Sequence, residues 1–323
     1  MAERAFVMET HAAILHSLLV NPLLESGGTT PDQLQQNMSS SPDFKITNLF
    51  DVEGLKVLVT GGGTGIGLMI ARALAVNGAK VYITGRREDV LKSSAEQHSA
   101  DAEGEIIPIT GDVTDKASIQ ALLDDLKQKE EHLDILINNS GIAGPGIDNA
   151  AKEATPLAKS MWENDYEEAL SVFKVNVLGY YFVSAAFIPL LNKSPNHPQI
   201  INITSNAAFG RVAMAGILYS CTKAASTHLT KMLATHLSGT NIRVNAIAPG
   251  LFPSELTAGD SEKDNRSDLK GDTQGIDIPT GRPGTEEEMA TTVLYLANKK
   301  QTYTSGSVVF IDGGVLTRMP STY

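Results

Sequence analysis

Three side chains on two neighbouring segments have the types and the spacing for acid/base work. The run Ile200-Ile-Asn-Ile-Thr-Ser205 is strand-like and ends in a hydroxyl, and Leu218-Tyr219-Ser-Cys-Thr-Lys223-Ala-Ala-Ser opens a helix on tyrosine. Positions i and i+4 share one helix face, so Tyr219 and Lys223 project side by side. An ammonium beside a phenol favours the phenolate, which lowers a pKa that is otherwise about 10. Ser205 can hold the same substrate oxygen, whereas strand alternation turns Thr204 to the opposite face. The chemistry in outline is proton transfer to and from an oxygen, with a second hydroxyl binding that oxygen.

The chain around them has 323 residues, enough for one large α/β domain with extensions. Its net charge of -11 argues against bulk nucleic-acid binding and against docking on an anionic membrane. The single cysteine, Cys221, excludes an intramolecular disulfide and fits a reducing, cytoplasmic setting. Beside Tyr219 on a small-residue helix, it reads as a buried, inert thiol. No uninterrupted apolar run reaches ~18 residues. The nearest, 175–191, contains Asn176 and Pro189 and reads as a buried helix.

Residues 1–43 differ from the rest and read as a flexible extension ahead of one domain over 44–323. Residues 12–24 suit a short helix, and 26–41 have linker composition. Arg4 stands alone among Glu3, Glu9 and Glu25, which argues against a transit peptide. The extension is either an accessory tail or an upstream mis-start before Met38, and residues 1–37 are expected to be dispensable.

From Leu55 onward, short apolar runs alternate with helix-length amphipathic segments. Residues 56–60, 80–84, 106–110, 135–138, 199–204, 242–248 and 307–311 read as buried strands. Helical patterns begin near Ile66, Glu88, Asp115, Tyr166, Tyr219 and Thr285, the last with capping-box spacing to Glu288. The alternation predicts a Rossmann-type, doubly wound parallel sheet of about seven strands with right-handed crossovers. Continuous apolar strands imply helices on both faces.

Thr60-Gly-Gly-Gly-Thr-Gly-Ile-Gly67 lies where the first strand gives way to the first helix. Glycines let the backbone approach a diphosphate, whose charge meets free N–H groups at the helix N-terminus. The spacing Gly61-x-x-x-Gly65-x-Gly67 departs from GxGxxG, and Ile66 sits inside it. An NAD-type site would hold an acid about twenty residues on, against the ribose 2′-hydroxyl. Gly85 stands there, followed by Arg86 and Arg87, whose guanidinium forks suit a 2′-phosphate. NADP is therefore expected over NAD. Asp112, followed by Val113, either faces the adenine or caps a turn.

These stretches together resemble the short-chain dehydrogenase/reductase family over roughly residues 55–314. The carriers are the 60–67 turn, Asn138-Asn139-Ser140-Gly141, Asn176 in Lys174-Val-Asn-Val-Leu-Gly179, Ser205, and Tyr219-x-x-x-Lys223. Asn245-Ala-Ile-Ala-Pro249-Gly250 and Ile311-Asp-Gly-Gly314 follow in order. Ser140 replaces the family's usual alanine, and no basic residue precedes Gly65 within the turn. Closest in character are 3-oxoacyl-thioester reductase-type members, including fungal ones with a Leu49-Phe-Asp-Val lead-in.

The resemblance implies Tyr219 as general acid in reduction and base in oxidation. Lys223 would lower its pKa and hold the nicotinamide ribose, and Ser205 would stabilise the substrate oxygen. Asn176 would hold a relay water; read from the sequence alone, it is equally a helix asparagine packed on a carbonyl. Asn139 would tie strands together, and Gly141 would let the cofactor near the backbone. Pro249 and Gly250 would flank the nicotinamide, with Ser254 or Thr257 near its carboxamide. No metal is implied.

Residues 253–283 read as a polar lid at the carboxyl ends of the strands, and with the loop at 142–162 are expected to shape the substrate pocket. Candidate wall residues are Phe209, Met214, Leu251 and Phe252, each equally at home in the core. The helical runs 166–191 and 219–237 carry more apolar surface than one sheet face needs, so a homodimer or homotetramer is expected. The expected activity is NADP(H)-dependent interconversion of a small-molecule carbonyl and a secondary alcohol. The alternative is an NAD-dependent alcohol, polyol or steroid dehydrogenase. A non-catalytic dinucleotide-binding scaffold should lack Tyr219, Lys223 or Ser205, and all three are present.

Overall fold

The computed structural model of the chain describes residues 43–147 and 153–322. The expectations for residues 1–37, for the helix at 12–24 and for the middle of the 142–162 loop lie outside them.

Seven strands form one parallel sheet in the order β3-β2-β1-β4-β5-β6-β7. They are β1 (Lys56–Thr60), β2 (Lys80–Gly85), β3 (Glu105–Thr110) and β4 (Ile135–Asn138). On the far side of β4 follow β5 (Gln199–Ile203), β6 (Arg243–Pro249) and β7 (Val308–Ile311). The helices of eight residues or more are α1 (Gly65–Val76), α2 (Glu88–Ser99), α3 (Lys116–Lys129) and the exposed α4 (Ala154–Trp162). Next come α5 (Tyr166–Phe173), α6 (Tyr180–Leu191), α7 (Ile217–His236) and α8 (Glu286–Ala297). Between α5 and α6 the chain runs through one π-helical stretch, Lys174–Gly179. The doubly wound α/β sheet expected from the alternation is what forms.

Period-two alternation divides each strand between two cores. Val57 and Val59 join α1, α2 and α8 on one face, while Leu58 joins α3 and α6 on the other. Each buried Val, Leu or Ile contributes about 1.5–3 kcal/mol, so both faces must be covered. The helical run Tyr166–Leu191 is long and apolar enough to cross a membrane by length and composition. Here Val183, Phe187, Leu190 and Leu191 of that run are buried against the sheet, as expected of a core helix.

Buried polar groups fix the register of the middle strands. Asn138 Nδ2 donates to Asn202 Oδ1 (2.9 Å) and to Ser184 Oγ (3.0 Å), while Asn202 Nδ2 donates to Thr230 Oγ1 (2.9 Å). This chain links α6, β4, β5 and α7, the elements that carry the acid/base residues. The strand order reverses between β1 and β4, which opens a crevice at their carboxyl ends where ligands bind in such sheets.

Candidate active site

A cleft of about 730 Å3 opens at that reversal. Its floor begins at the glycine turn. Gly61 and Gly65 have φ of +63° and +52°, in the left-handed region open to glycine. A Cβ on Gly67 would lie 2.1 Å from the Gly61 carbonyl oxygen and 2.4 Å from Asn139 Nδ2. Gly67 thus sits beneath the turn and does not line the cleft, whereas Gly61, Gly65 and Ile66 do. Asn139 fastens the turn: its Nδ2 donates to the carbonyls of Thr60 (2.9 Å) and Gly61 (3.0 Å), and its N–H donates to Thr60 Oγ1 (3.0 Å). Thr64 supplies no side-chain cap to α1. The first-turn N–H groups are therefore left for an anion. In the adjoining wall the buried Thr84 hydroxyl has no hydrogen-bond partner. An uncapped helix start, a turn that excludes side chains and a cleft of this size suit a dinucleotide.

Arg86, Arg87, Asp112, Val113, Asn139 and Gly141 also line the cleft. Asp112 Oδ1 accepts from the Thr114 backbone N–H (2.8 Å) and hydroxyl (2.7 Å), so it closes a turn at the cleft edge. Arg87 is engaged with Glu255 through bonds of 3.0 and 2.7 Å, while Arg86 makes no ion pair among the described residues. Ser254 lines the cleft beside Gly65. Thr257 instead turns its hydroxyl inward, onto the Phe252 carbonyl (2.7 Å). Pro249 and Gly250 lie outside the lining; Gly250 packs on Asp312, whose Cα would be 2.8 Å from an added Cβ.

Tyr219 and Lys223 of α7 line the inner end of the cleft. Ser205, two residues beyond β5, sits beside Tyr219 outside that lining, and Thr204 is the residue that reaches it. All three are buried. Lys223 Nζ lies 5.8 Å from the Tyr219 ring centre and donates to the Ile203 carbonyl at 3.0 Å. The Ser205 hydroxyl lies beside the Tyr219 phenol, and its Oγ accepts the Ala207 N–H at 3.1 Å. Thr204 Oγ1 turns away and donates to the Ile247 carbonyl (3.1 Å), as alternation requires. Burial pushes the Tyr219 phenol up and outweighs the opposite pull of the neighbouring Ser205 hydroxyl, so the expected lowering by Lys223 is not met. The reason is geometric: the ammonium is directed at a backbone carbonyl and the phenol is dry. Burial pulls Lys223 itself down to about 8.

Asn176 sits in the π-helical stretch and is fully buried. Its Nδ2 donates to the Ile142 carbonyl and to Thr222 Oγ1, both at 3.0 Å, and its Oδ1 accepts from the Ile142 N–H at 3.0 Å. The side chain therefore ties the loop after β4 to α7. A Cβ on Gly141 would be 3.4 Å from Lys223 Nζ and 3.5 Å from Asn176 Oδ1, so these two polar atoms flank the bare glycine.

Several expectations around the site change. Cys221 is exposed, because two residues along a helix from Tyr219 faces away from it. Leu251 and Phe252 are core residues, Phe252 against Gly284. Phe209 stacks edge-on with Phe310 at 4.8 Å, and Met214 is exposed. The polar segment does not simply cap the substrate side. Its first part lies over the other half of the cleft and docks on α2 through Asn265 Nδ2 to Ser94 Oγ (2.9 Å), with Gln97 Nε2 reaching the Lys263 carbonyl (3.3 Å). Reading the sequence also missed Tyr180, whose hydroxyl donates to the Ile203 carbonyl (2.8 Å), as well as Thr222, Ile142 and Glu255. Their partners lie far away in the chain, and no local pattern marks them.

Known proteins resemble the chain over most of its length. A family model described as Enoyl-(Acyl carrier protein) reductase matches residues 61–316. Short-chain dehydrogenase/reductase PhomF of Diaporthe leptostromiformis is 42% identical over 298 residues, covering 88% of this chain and 100% of the relative. A rhamnolipids biosynthesis 3-oxoacyl-(acyl-carrier-protein) reductase of Pseudomonas aeruginosa is 36% identical over 271 residues, covering 82% of this chain and 97% of the relative. The solved Pseudomonas aeruginosa RhlG/NADP active-site complex aligns with a TM-score of 0.68 and 32% identity, over 84% of this chain and 99% of that one. The ordered motifs, the sheet that carries them and these matches over most of its length make the chain a member of the short-chain dehydrogenase/reductase family of oxidoreductases.

Proposed function

We propose that this oxidoreductase interconverts a carbonyl and a secondary alcohol with NADP(H), and that Tyr219 is its proton donor and acceptor. The observation that carries the reading is the buried pair Tyr219 and Lys223 at the inner end of the dinucleotide-sized cleft, with buried Ser205 beside the phenol. When bound, the nicotinamide supplies or accepts the hydride.

The chain's own residues do the rest. Tyr219 keeps its proton because burial raises the phenol, and it gives that proton to the substrate oxygen as the alcohol forms. Ser205, beside the Tyr219 phenol, donates to the same substrate oxygen as charge develops. Lys223, held near pKa 8, supplies positive charge when the phenolate forms and hands a proton onward. Asn176 anchors that route from the other side of Gly141, with one Oδ1 lone pair left beyond the Ile142 bond.

The turn at 60–67 and the first-turn N–H groups of α1 hold the diphosphate, with Ser254 over them. Arg86 and Arg87 take the 2′-phosphate, and Gly85, where an NAD site would carry an acid, leaves room for it. The Pseudomonas aeruginosa relative acts, by its name, on a 3-oxoacyl group, so β-keto thioesters and their simple ester analogues head the substrate classes. The helical runs 166–191 and 219–237, which leave Tyr166, Tyr181 and Met232 exposed, pair copies into a homodimer or homotetramer.

The test mixes purified protein with NADPH or NADH and a panel of β-keto esters, diketones, quinones and ketosteroids, following absorbance of the reduced cofactor. Tyr219→Phe is expected to lose at least about a hundredfold in kcat. Full activity in that variant would remove the catalytic assignment.

A further inference from the structure

Glu255 holds Arg87, one of the two arginines assigned above to the 2′-phosphate. Its carboxylate takes both Arg87 contacts and a bond from Ser261 Oγ at 2.9 Å, and the Thr64 hydroxyl at the start of α1 lies close by. The Arg87 bond holds the Glu255 carboxyl below its usual range. Glu255 opens a short helical turn, Glu255–Ala258, with Ser254 packed on Gly65. The segment that follows docks on α2: Asn265 bonds Ser93 and Ser94, and His98 Nε2 meets the Asp264 carbonyl at 2.9 Å. A strap anchored on both α1 and α2 therefore crosses the cleft where the glycine turn and the two arginines meet. Its one charged contact with the cleft wall is made, among the described residues, by Glu255.

We propose that Glu255 is a specificity-positioning residue: it competes with the cofactor's 2′-phosphate for Arg87, so that a 2′-phosphorylated dinucleotide, and not its dephospho counterpart, exchanges the contact and loosens the strap. The inference rests on the NADP reading above. The Glu255 pair takes two of the five guanidinium N–H groups, and a phosphate brought to the same guanidinium meets a second anion that repels it, so the two compete for Arg87. Each 2′-phosphate ligand therefore binds more weakly by the fraction of time that Arg87 stays on Glu255. A ligand without that phosphate leaves the pair alone. The pair is partly exposed, with side-chain accessibilities of 55% and 31%. Solvent screening therefore limits the effect to about three- to tenfold.

Adenosine 2′,5′-bisphosphate and 5′-AMP isolate the 2′-phosphate. Titration calorimetry of both against the full chain, Glu255→Gln, Glu255→Asp and the double variant Glu255→Gln/Arg87→Ala provides the test. Glu255→Gln is expected to tighten the bisphosphate about three- to tenfold while 5′-AMP changes less than about twofold. Glu255→Asp should stay near wild type, and removing Arg87 should abolish the gain. In wild type, hydrogen exchange of residues 254–266 should rise with the bisphosphate and not with 5′-AMP. Equal gains for both ligands, or no gain for the bisphosphate, would overturn the competition while leaving NADP preference intact. Weaker 5′-AMP binding in Glu255→Gln would instead make Glu255 a ribose-binding acid. A wild type that binds the two ligands equally would remove the NADP reading, and this inference with it.

Discussion

Lys223 Nζ donates to the Ile203 carbonyl at 3.0 Å, and the same carbonyl accepts the Tyr180 hydroxyl at 2.8 Å. The carbonyl is therefore satisfied twice, while Lys223, fully enclosed, has no carboxylate partner among the described residues. An ammonium in that setting costs stability unless it is used for something else.

Replacing Lys223 by methionine should accordingly raise stability at pH 7 by about 1–3 kcal/mol while removing activity. The folded chain gives up the Lys223 proton near pH 8, ahead of the unfolded chain at about 10.4. Between these values the unfolded state binds more protons, so this group's contribution to stability rises with pH, and its cost is full below 8. Thermal unfolding of both proteins from pH 7 to 10 checks it. The advantage of the variant should shrink as the pH climbs; a constant deficit would show that Lys223 is well paired.

Ser205 and Thr204 separate catalysis from structure within two adjacent hydroxyls. Ser205→Ala removes the hydroxyl beside the Tyr219 phenol and should lower kcat by about 10²–10³-fold. Thr204→Val removes a bond to the Ile247 carbonyl, which keeps the Thr204 N–H as donor at 2.8 Å. It should cost about 1 kcal/mol of stability and leave kcat nearly unchanged. Steady-state kinetics beside denaturant melts distinguish the two, and the reverse pattern would reassign the partner.

Two glycines of the same turn should respond differently to one added methyl. In Gly67→Ala the new atom meets the Gly61 carbonyl at 2.1 Å, which backbone cannot relieve, and in Gly63→Ala it meets side-chain carbons at 3.3 Å. The first should lose about 2–3 kcal/mol or fail to bind dinucleotide, and the second should stay within about 1 kcal/mol. Cofactor titration and melting temperature report both.

Asn176→Ala strips the partners from the Ile142 N–H and carbonyl and leaves Thr222 Oγ1 bonded only to the Tyr219 carbonyl. The unmade bonds should cost about 2–3 kcal/mol. If Asn176 only holds the loop, kcat should fall evenly across pH. As anchor of the proton route, its loss should reshape the pH profile on the alkaline side, near the Lys223 value.

The parallel sheet, the glycine turn and the pairing of Tyr219 with Lys223 follow from short-range order. Strand alternation, helical i,i+4 spacing and bare backbone at Gly61, Gly65 and Gly67 act within a few residues, so their consequences are legible in the sequence. The same logic turned Thr204 away from Ser205's side. What the sequence could not decide depends on groups that meet only after folding. Arg87 and Glu255 are 168 residues apart, and Asn176 reaches Ile142 across 34. The direction of the Tyr219 shift depends on how much water the packed cleft excludes, not on the lysine four residues along. Cys221 carries its exposure because the helix face opposite Tyr219 is left uncovered. Local pattern sets which side chains can face one another, and the packing of distant segments sets what each one then bonds, how dry it is and which charge it keeps.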